Sequence, residues 1–326
     1  MKKKKNNSAA VKMSCGLLAG MLAPGVVHAC ACGCGVFDVA TSSMFPNGAG
    51  GMAYLQYDFQ DQNRNWSGTS QAPAANNGDK QIETDFFMAG FQYMFNSSWG
   101  VQLEVPYDYR SFKTTSAAPG NPITTINWGA LGDIRLEGIY TGFFADLSAG
   151  VTFGVKLPTG DWTYNNAFGD VDRDSEIGTG STDILLGGFY RGNLDRNQKW
   201  DWFGQLQLDV PVLIQAEYRP GVELDTAAGI DYKGFSLGRV KISPLAQIIF
   251  SERTSDSGAN AAGGANDDPA GGVSSGYQRI LLSPGVEFHI HPVKIYADAE
   301  FPVYQNFTGN QLAAPVLFKV SLSFMF

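Results

Sequence analysis

The C-terminal segment 316–326 constrains the fold more than any other part of the chain. Lys319, Ser321 and Ser323 separate apolar residues that recur at every second position, namely Val316, Phe318, Val320, Leu322, Phe324 and Phe326. Successive side chains of a β-strand point to opposite faces, so this period of two predicts a strand with one apolar and one polar face. A strand that is apolar outside and polar inside is typical of a transmembrane β-barrel.

The same alternation recurs upstream, where charged residues fall on one parity only, in segments 53–60, 101–110, 147–157, 205–212 and 293–301. Weaker candidates for further strands lie at 83–95, 130–141, 182–191, 222–233, 240–251 and 279–289. Together these segments predict an all-β chain, a transmembrane antiparallel up-and-down β-barrel of about 12 strands.

The predicted connections alternate between short and long. Short ones lie at 96–98, 142–144, 191–199, 234–237 and 290–292. Long ones, rich in Gly, Asn, Ala, Ser and Asp, lie at 61–82, 112–129, 159–181, 213–221, 252–278 and 305–314. This pattern predicts a barrel in the cell outer membrane, with periplasmic turns, extracellular loops and both termini in the periplasm. The alternative is a secreted β-sandwich, which does not require so regular an alternation.

The N-terminus has the composition of a secretory signal peptide. Lys2–Lys5 and Lys12 precede the apolar stretch 13–27, and Val27-His28-Ala29 suits a signal-peptidase site. A short buried or membrane helix is the alternative, but glycines and a proline interrupt a run that is shorter than the ~18 residues of a membrane span. We therefore predict a signal peptide over 1–29, a Cys-rich periplasmic segment over 30–50 and a barrel over 51–326.

Charge and hydropathy narrow the class further. The formal net charge is −8, and the lysine-rich leader contributes no acid, so the remaining chain is more acidic still. An acidic surface disfavours nucleic acid as a partner. Beyond the leader, no segment has the length and hydropathy of a transmembrane helix. A membrane protein without such helices has to be a closed barrel, because closure satisfies every strand N–H and C=O in lipid.

Several short motifs follow one another in order along the chain, namely Val101-Gln-Leu-Glu-Val-Pro106, Leu131-Gly-Asp-Ile134, Gly154-Val-Lys-Leu-Pro-Thr-Gly160, Gly178-Thr-Gly-Ser-Thr-Asp183, Ser283-Pro-Gly285, Phe301-Pro-Val-Tyr-Gln305 and Gly309-Asn-Gln-Leu312. As an ordered set they resemble the meta-pathway phenol-degradation family of outer-membrane proteins. The resemblance implies an outer-membrane barrel that admits small, sometimes aromatic, compounds, and it implies no catalytic residues. The Cys-rich N-terminal segment departs from the general pattern of that family.

A terminal strand that ends in Phe, on an exported chain, also resembles the signal that the barrel-assembly machinery reads. That resemblance assigns the assembly signal to Phe318, Val320, Leu322, Phe324 and Phe326. Outer-membrane lipids, lipopolysaccharide and a small-molecule solute are the other expected partners.

The polar parity of the strands predicts which charged residues face the lumen and set selectivity. They are Glu104, Asp108, Arg110, Arg135, Glu137, Lys156, Asp209, Asp298, Glu300 and Lys319. Mixed signs are compatible with a water-filled eyelet or with a salt-bridged plug, and the sequence does not choose between them.

Three motifs suggest bound metals. Cys30, Cys32 and Cys34 directly follow the cleavage site, and such thiols can bind Cu or Zn, form disulfides or remain in a solvated tail. Cys30 is also a weak candidate for lipidation. His289 and His291 are expected on the same side of the membrane, where they could join the cysteines or form an ordinary polar turn.

The third motif lies in the predicted loop 159–181 and comprises Asp170, Asp172, Asp174 and Glu176. Its carboxylates could partly satisfy the six to eight oxygens that Ca²⁺ takes, although acidic loop solvation is the default interpretation.

These features are compatible with three functions. The leading hypothesis is a passive outer-membrane channel for small solutes, including hydrophobic or aromatic ones. An outer-membrane hydrolase is disfavoured, because after cleavage only His289 and His291 remain and both are expected at the periplasmic end. The third hypothesis is a metal-handling or structural barrel that uses the Cys-rich segment.

Overall fold

The computed structural model describes residues 44–326 except positions 47, 75–76, 116–119, 121, 167–168, 172 and 260–274. Among these residues, 12 antiparallel strands follow one another around a closed barrel. They are β1 (Gly50–Gln62), β2 (Asp79–Met94), β3 (Trp99–Thr115), β4a (Ile123–Leu131) continued as β4b (Arg135–Tyr140), β5 (Ala149–Lys156), β6 (Ser181–Asn193), β7 (Trp200–Ile214), β8 (Glu223–Tyr232), β9 (Val240–Arg253), β10 (Tyr277–Ile290), β11 (Val293–Ala313) and β12 (Leu317–Met325).

Closure comes from the first and last strands. β1 pairs with β12 over a continuous register that runs from Met52 opposite Met325 to Gln60 opposite Leu317. On its other edge β1 pairs with β2. The predicted all-β barrel is therefore confirmed. No helix within the described residues is long and apolar enough to cross a membrane.

The two faces of the barrel invert the burial pattern of a soluble protein. On β1, Leu55 is exposed on the outer face, whereas Gln56, Asp58 and Gln60 are buried inside. The residues assigned to the assembly signal are likewise exposed on the outer face of β12, at Phe318, Val320, Leu322, Phe324 and, at its end, Phe326. An apolar exterior around a polar interior is the arrangement that a lipid environment stabilises.

Both described ends of the chain lie at the same end of the barrel, which we call the turn end; the opposite end is the loop end. Aromatic pairs ring the turn end. Trp99 lies near Tyr140 with ring centroids 4.6 Å apart, and Trp200 lies near Tyr232 at 4.8 Å. Such a belt is typical of a membrane interface, where rings that carry a polar group meet both lipid and water.

Two predicted loops are wrong in extent. The segment predicted as loop 112–129 is mostly strand, because β3 continues to Thr115 and β4a begins at Ile123. The predicted loop 305–314 is strand up to Ala313. Strand pairing continues beyond the apolar band, because backbone hydrogen bonds do not require apolar side chains, so a polar composition does not mark the end of a strand here. The predicted turn 234–237 likewise contains a short strand, Phe235–Leu237.

The fourth strand is interrupted between β4a and β4b. Glu104 of β3 lies opposite Arg135 and Tyr107 lies opposite Leu131, so three residues, 132–134, face only two on β3. Pro106 accepts a hydrogen bond from the Gly132 N–H at 2.9 Å but has no N–H to return. The extra residue forms a bulge, a feature that re-aims side chains. Among the described residues, β4a pairs with β3 alone.

Candidate channel and its two constrictions

All ten charged residues predicted for the lumen lie on the inner face of the barrel. Glu104, Arg135 and Glu137 line one inner cavity. Asp108, Arg110, Lys156 and Asp209 line a second one. Asp298, Glu300 and Lys319 are buried against the opposite wall.

The wall made by β10–β12 and β1 is packed with paired polar side chains. The Asp298 carboxylate accepts hydrogen bonds from the Ser283 hydroxyl at 2.6 Å and the Tyr296 hydroxyl at 2.7 Å. Lys319 Nζ lies 3.7 Å from the Glu300 carboxylate, and both side chains are almost fully buried. This wall is a salt-bridged filling, one of the two lumen types that the sequence left open.

The wall made by β4b to β7 borders open space. Lys156 donates to Asp209 at 2.9 Å and forms an ion pair with Asp183. Arg135 lies 3.7 Å from the same Asp209 oxygen. Arg135 and Met88 line both inner cavities, so the two cavities adjoin at this point.

The first cavity, of about 80 Å³, combines amide and apolar side chains. Gln92 donates to Gln102 at 3.0 Å and Gln102 donates to Glu104 at 2.8 Å. Tyr54 donates to the same Glu104 carboxylate oxygen at 2.5 Å. This chain of hydrogen bonds fixes the polar side of the cavity. Phe189 lines its apolar side.

Residues Met44–Pro46 close the turn-end side of that cavity, and we call them the turn-end plug. The Phe45 ring stacks on Phe189, with centroids 4.4 Å apart and planes 10° apart, and meets Phe203 edge-on at 6.1 Å. Gln92 donates to the Met44 carbonyl at 3.2 Å, and Arg191 donates to the Pro46 carbonyl at 2.8 Å. Only 5% of Phe45 is exposed.

The plug belongs to the segment 30–50, which the sequence predicts to be a Cys-rich periplasmic segment. The structure places Met44–Pro46 of that segment at the turn-end side of the first cavity, within the lumen. An apolar pair before a proline, in an otherwise polar stretch, was the only available signal. Beyond the plug a vestibule of about 510 Å³ opens at the turn end, lined by charges of both signs.

Between β5 and β6, at the loop end, the described residues of 157–180 extend into the lumen, and we call these described residues the constriction loop. Arg110 of β3 donates to the carbonyls of Ser175 and Glu176, the latter at 2.8 Å. These bonds tie the inner wall to the short 3-10 helix Arg173–Ser175. The second cavity, of about 170 Å³, lies between the loop and the wall.

Arg173 organises the constriction loop from within. Its guanidinium lies over the Trp162 ring at 4.4 Å and over the Tyr218 ring at 4.7 Å. It also donates to the carbonyls of Trp162 at 2.7 Å and Thr179 at 2.8 Å. A cation held between two aromatic faces and two carbonyls tolerates burial well.

Two carboxyl groups of the constriction loop are shifted in pKa. Burial raises the pKa of Asp174 to about 7, and nearby Asp256 raises it further whereas Arg253 lowers it. Burial also raises the pKa of Glu176 to about 8, with Asp161 adding to the rise and Arg110 and Arg173 opposing it. Both pKa values therefore lie near neutral pH, which predicts that docking of the loop responds to pH.

Neighbouring loops cover the constriction loop. Asp256 accepts hydrogen bonds from the Tyr218 hydroxyl at 2.8 Å, the Gly221 N–H at 2.6 Å and Arg253 at 2.8 Å. Tyr218–Arg219 pairs with Ser257–Gly258 in a small antiparallel sheet. The loops at the loop end are thus connected to one another. The contact between Arg173 and Tyr218 joins the constriction loop to this set.

The residues predicted to bind metals are dispersed or lie outside the described residues. Cys30, Cys32, Cys34 and Asp172 belong to the undescribed part. His289 faces the vestibule, whereas His291 is exposed in the turn after β10. Within the described ranges, no group of three or more His, Cys, Asp or Glu residues is arranged to hold a metal. The copper, zinc and calcium sites stay predictions.

The barrel is similar in structure to known outer-membrane proteins. An outer membrane channel from Pseudomonas putida F1 superposes with a TM-score of 0.59 and 10% identity, over 89% of this chain and 100% of the other. The β domain of the Bordetella autotransporter BrkA gives a TM-score of 0.48 and 13% identity, covering 85% of this chain and 100% of that domain. At 10% identity the likeness to the P. putida channel shows a shared barrel fold. No family model and no curated protein matches the chain, so the family resemblance stays an expectation.

Proposed function

We propose that this protein is a passive outer-membrane channel for small solutes, with the turn end in the periplasm and the loops outside the cell. The observation that carries the proposal is the pair of adjoining cavities inside a closed barrel, bounded by the turn-end plug and the constriction loop. The turn-end plug and the constriction loop are held by separate contacts. Movement of either segment can therefore open the pathway through the cavities while the barrel wall stays intact.

Several features support the membrane assignment. The outer face is apolar, aromatic pairs surround the turn end, and the short turns and termini share one end, as in outer-membrane barrels. The P. putida protein with the same fold is itself an outer membrane channel. Outer-membrane lipids and lipopolysaccharide are the proposed surroundings of the apolar face, and the barrel-assembly machinery is the proposed reader of β12.

The solutes that we propose combine an apolar or aromatic body with a polar group. The first cavity offers Phe45, Phe189 and Met88 on one side and the amides of Gln92 and Gln102 on the other. A flat ring can stack on Phe189 in the place of the Phe45 ring while its polar substituent bonds to an amide. The proposed role is passage and not catalysis.

Current recordings test both parts of this proposal. The Phe45→Ala variant in planar bilayers should show discrete conductance steps, and benzamide should block them transiently. Acetamide, which keeps the amide but lacks the ring, is the matched control and should not block. A folded protein that never conducts, either as Phe45→Ala or when the constriction loop is also released, would refute the channel. Equal effects of benzamide and acetamide would refute the aromatic preference alone.

A further inference from the structure

Three segments of the sequence that show the family resemblance meet at one carboxylate. Asp133 belongs to Leu131-Gly-Asp-Ile134, and its partners belong to the motifs that end at Gly160 and begin at Gly178. Asp133 Oδ1 accepts the Gly160 N–H at 2.9 Å. Asp133 Oδ2 accepts the Thr179 N–H at 2.8 Å and the Thr179 hydroxyl at 2.6 Å.

These partners are the two ends of the constriction loop. Gly160 lies just after β5 and Thr179 just before β6, so one side chain of the wall binds both hinges of the same loop. The hinges touch each other as well. A Cβ on Gly178 would lie 2.4 Å from the Gly160 carbonyl carbon, so neither glycine tolerates a side chain without a shift of the backbone.

The bulge between β4a and β4b places the carboxylate there. Three residues, 132–134, stand opposite two on β3, and the middle one is Asp133. Thr159 adds to the junction, because its hydroxyl accepts the Ile134 N–H at 2.9 Å. Asp133 is only 6% exposed, so water does not replace these bonds easily.

We propose that Asp133 is the positioning residue that holds the constriction loop inside the lumen. Its two oxygens fix both hinges, and Arg110 and Arg173 then hold the middle of the loop. Loss of the carboxylate releases the hinges, and the loop moves out of the lumen as a unit. The consequence for conductance rests on the channel function proposed above, whereas the consequence for loop exposure does not.

Trypsin provides a readout that is independent of conductance. Arg173 is 2% exposed and its backbone lies inside the lumen, so trypsin cannot cut after it while the loop is docked. In Asp133→Ala, cleavage after Arg173 should become at least about tenfold faster, since loss of a hydrogen bond to a buried charge shifts a local equilibrium by that order. Asp133→Asn keeps one acceptor oxygen and should be intermediate.

A matched control removes a similar carboxylate at the other end of the barrel. Asp195 accepts the N–H groups of Asn197 at 3.2 Å, Lys199 at 2.8 Å and Trp200 at 2.8 Å in a turn-end connection. Asp195→Ala should leave cleavage after Arg173 unchanged. Cleavage after the exposed Arg196, in the variants that retain Asp195, serves as the internal standard for protease activity.

The experiment uses the full mature chain, refolded in detergent, with heat-modifiable gel migration as the test of folding. Gly178→Ala pushes the two hinges apart and leaves the Asp133 side chain in place, so it should also expose Arg173 to trypsin. If Asp133→Ala does not fold, this variant tests the proposal in its place. Wild-type protection of Arg173 in both folded variants would overturn the proposal. In a Phe45→Ala background, Asp133→Ala should also raise conductance. If cleavage increases but no variant conducts, the positioning role holds and the channel function fails.

Discussion

The two constrictions close the same lumen by different physical means. The turn-end plug is held by stacked phenyl rings and two hydrogen bonds to its carbonyls. The constriction loop is held by Arg110, Arg173 and Asp133, all of them charged and buried. The aromatic contacts of the plug do not depend on pH, whereas the constriction loop also buries Asp174 and Glu176, whose pKa values are raised by burial. The comparison shows that one barrel can carry an apolar closure and a titratable closure in series.

The largest expected effect of a single substitution is at the plug. Phe45→Ala removes a buried ring that stacks on Phe189, and such truncations cost about 3–5 kcal/mol in well-packed sites. Conductance in planar bilayers should rise at every pH, because the ring contacts that the substitution removes do not titrate. Phe45→Leu, which keeps most of the apolar volume, is the control and should stay close to wild type. An unchanged current in Phe45→Ala would mean that the plug does not limit passage.

A smaller effect is expected at the loop end from Arg110→Met. The guanidinium donates to two loop carbonyls, and a hydrogen bond from a charged group contributes about 1.5–3 kcal/mol. Hydrogen exchange of the backbone of residues 173–177 should therefore accelerate. Lys113→Met is the matched control, because Lys113 lies on the same strand but donates to Gln81 outside the lumen. Equal exchange in both variants would contradict the role of Arg110.

The smallest effect is the pH response that separates the two constrictions. Asp174 and Glu176 have pKa values raised to about 7 and about 8, so the docked loop binds protons more tightly than the undocked loop. Docking is therefore strongest below the ordinary carboxyl pKa and weakens as pH rises through 7 and 8. In a Phe45→Ala background, conductance should increase between acidic and alkaline pH.

Glu176→Gln tests the source of that response. The glutamine side chain does not titrate, so its conductance should vary less with pH than that of the parent Phe45→Ala variant. Glu217→Gln, an exposed substitution in the neighbouring loop, is the control. A pH profile that Glu176→Gln leaves unchanged would place the titrating group elsewhere.

The sequence predicted the barrel wall well because the wall obeys a local rule. Alternation in segments such as 101–110 and 316–326 depends only on which face meets lipid, and it also placed Glu104, Asp209 and Lys319 on the inner face. The loops at 112–129 and 305–314 were predicted wrongly, since strand pairing outlasts the apolar pattern.

The constrictions could not be predicted in the same way. Met44–Pro46 is too short to show any period, and its partners Phe189 and Phe203 lie far away in sequence. The motif around Asp133 was recognised, but its contacts with Gly160 and Thr179 exist only once β4, β5 and β6 are assembled. Both cases depend on tertiary contacts of single residues, which leave no repeating signal.

The most direct test of the account is the single-channel conductance of Phe45→Ala combined with Asp133→Ala, recorded beside each single variant. Two constrictions in series limit the current together, so removal of both should raise the conductance well above either single variant. We expect that result, with the combined variant no longer responding to pH. A combined variant that folds but conducts no better than Phe45→Ala alone would contradict the claim that the constriction loop is the second closure of the lumen.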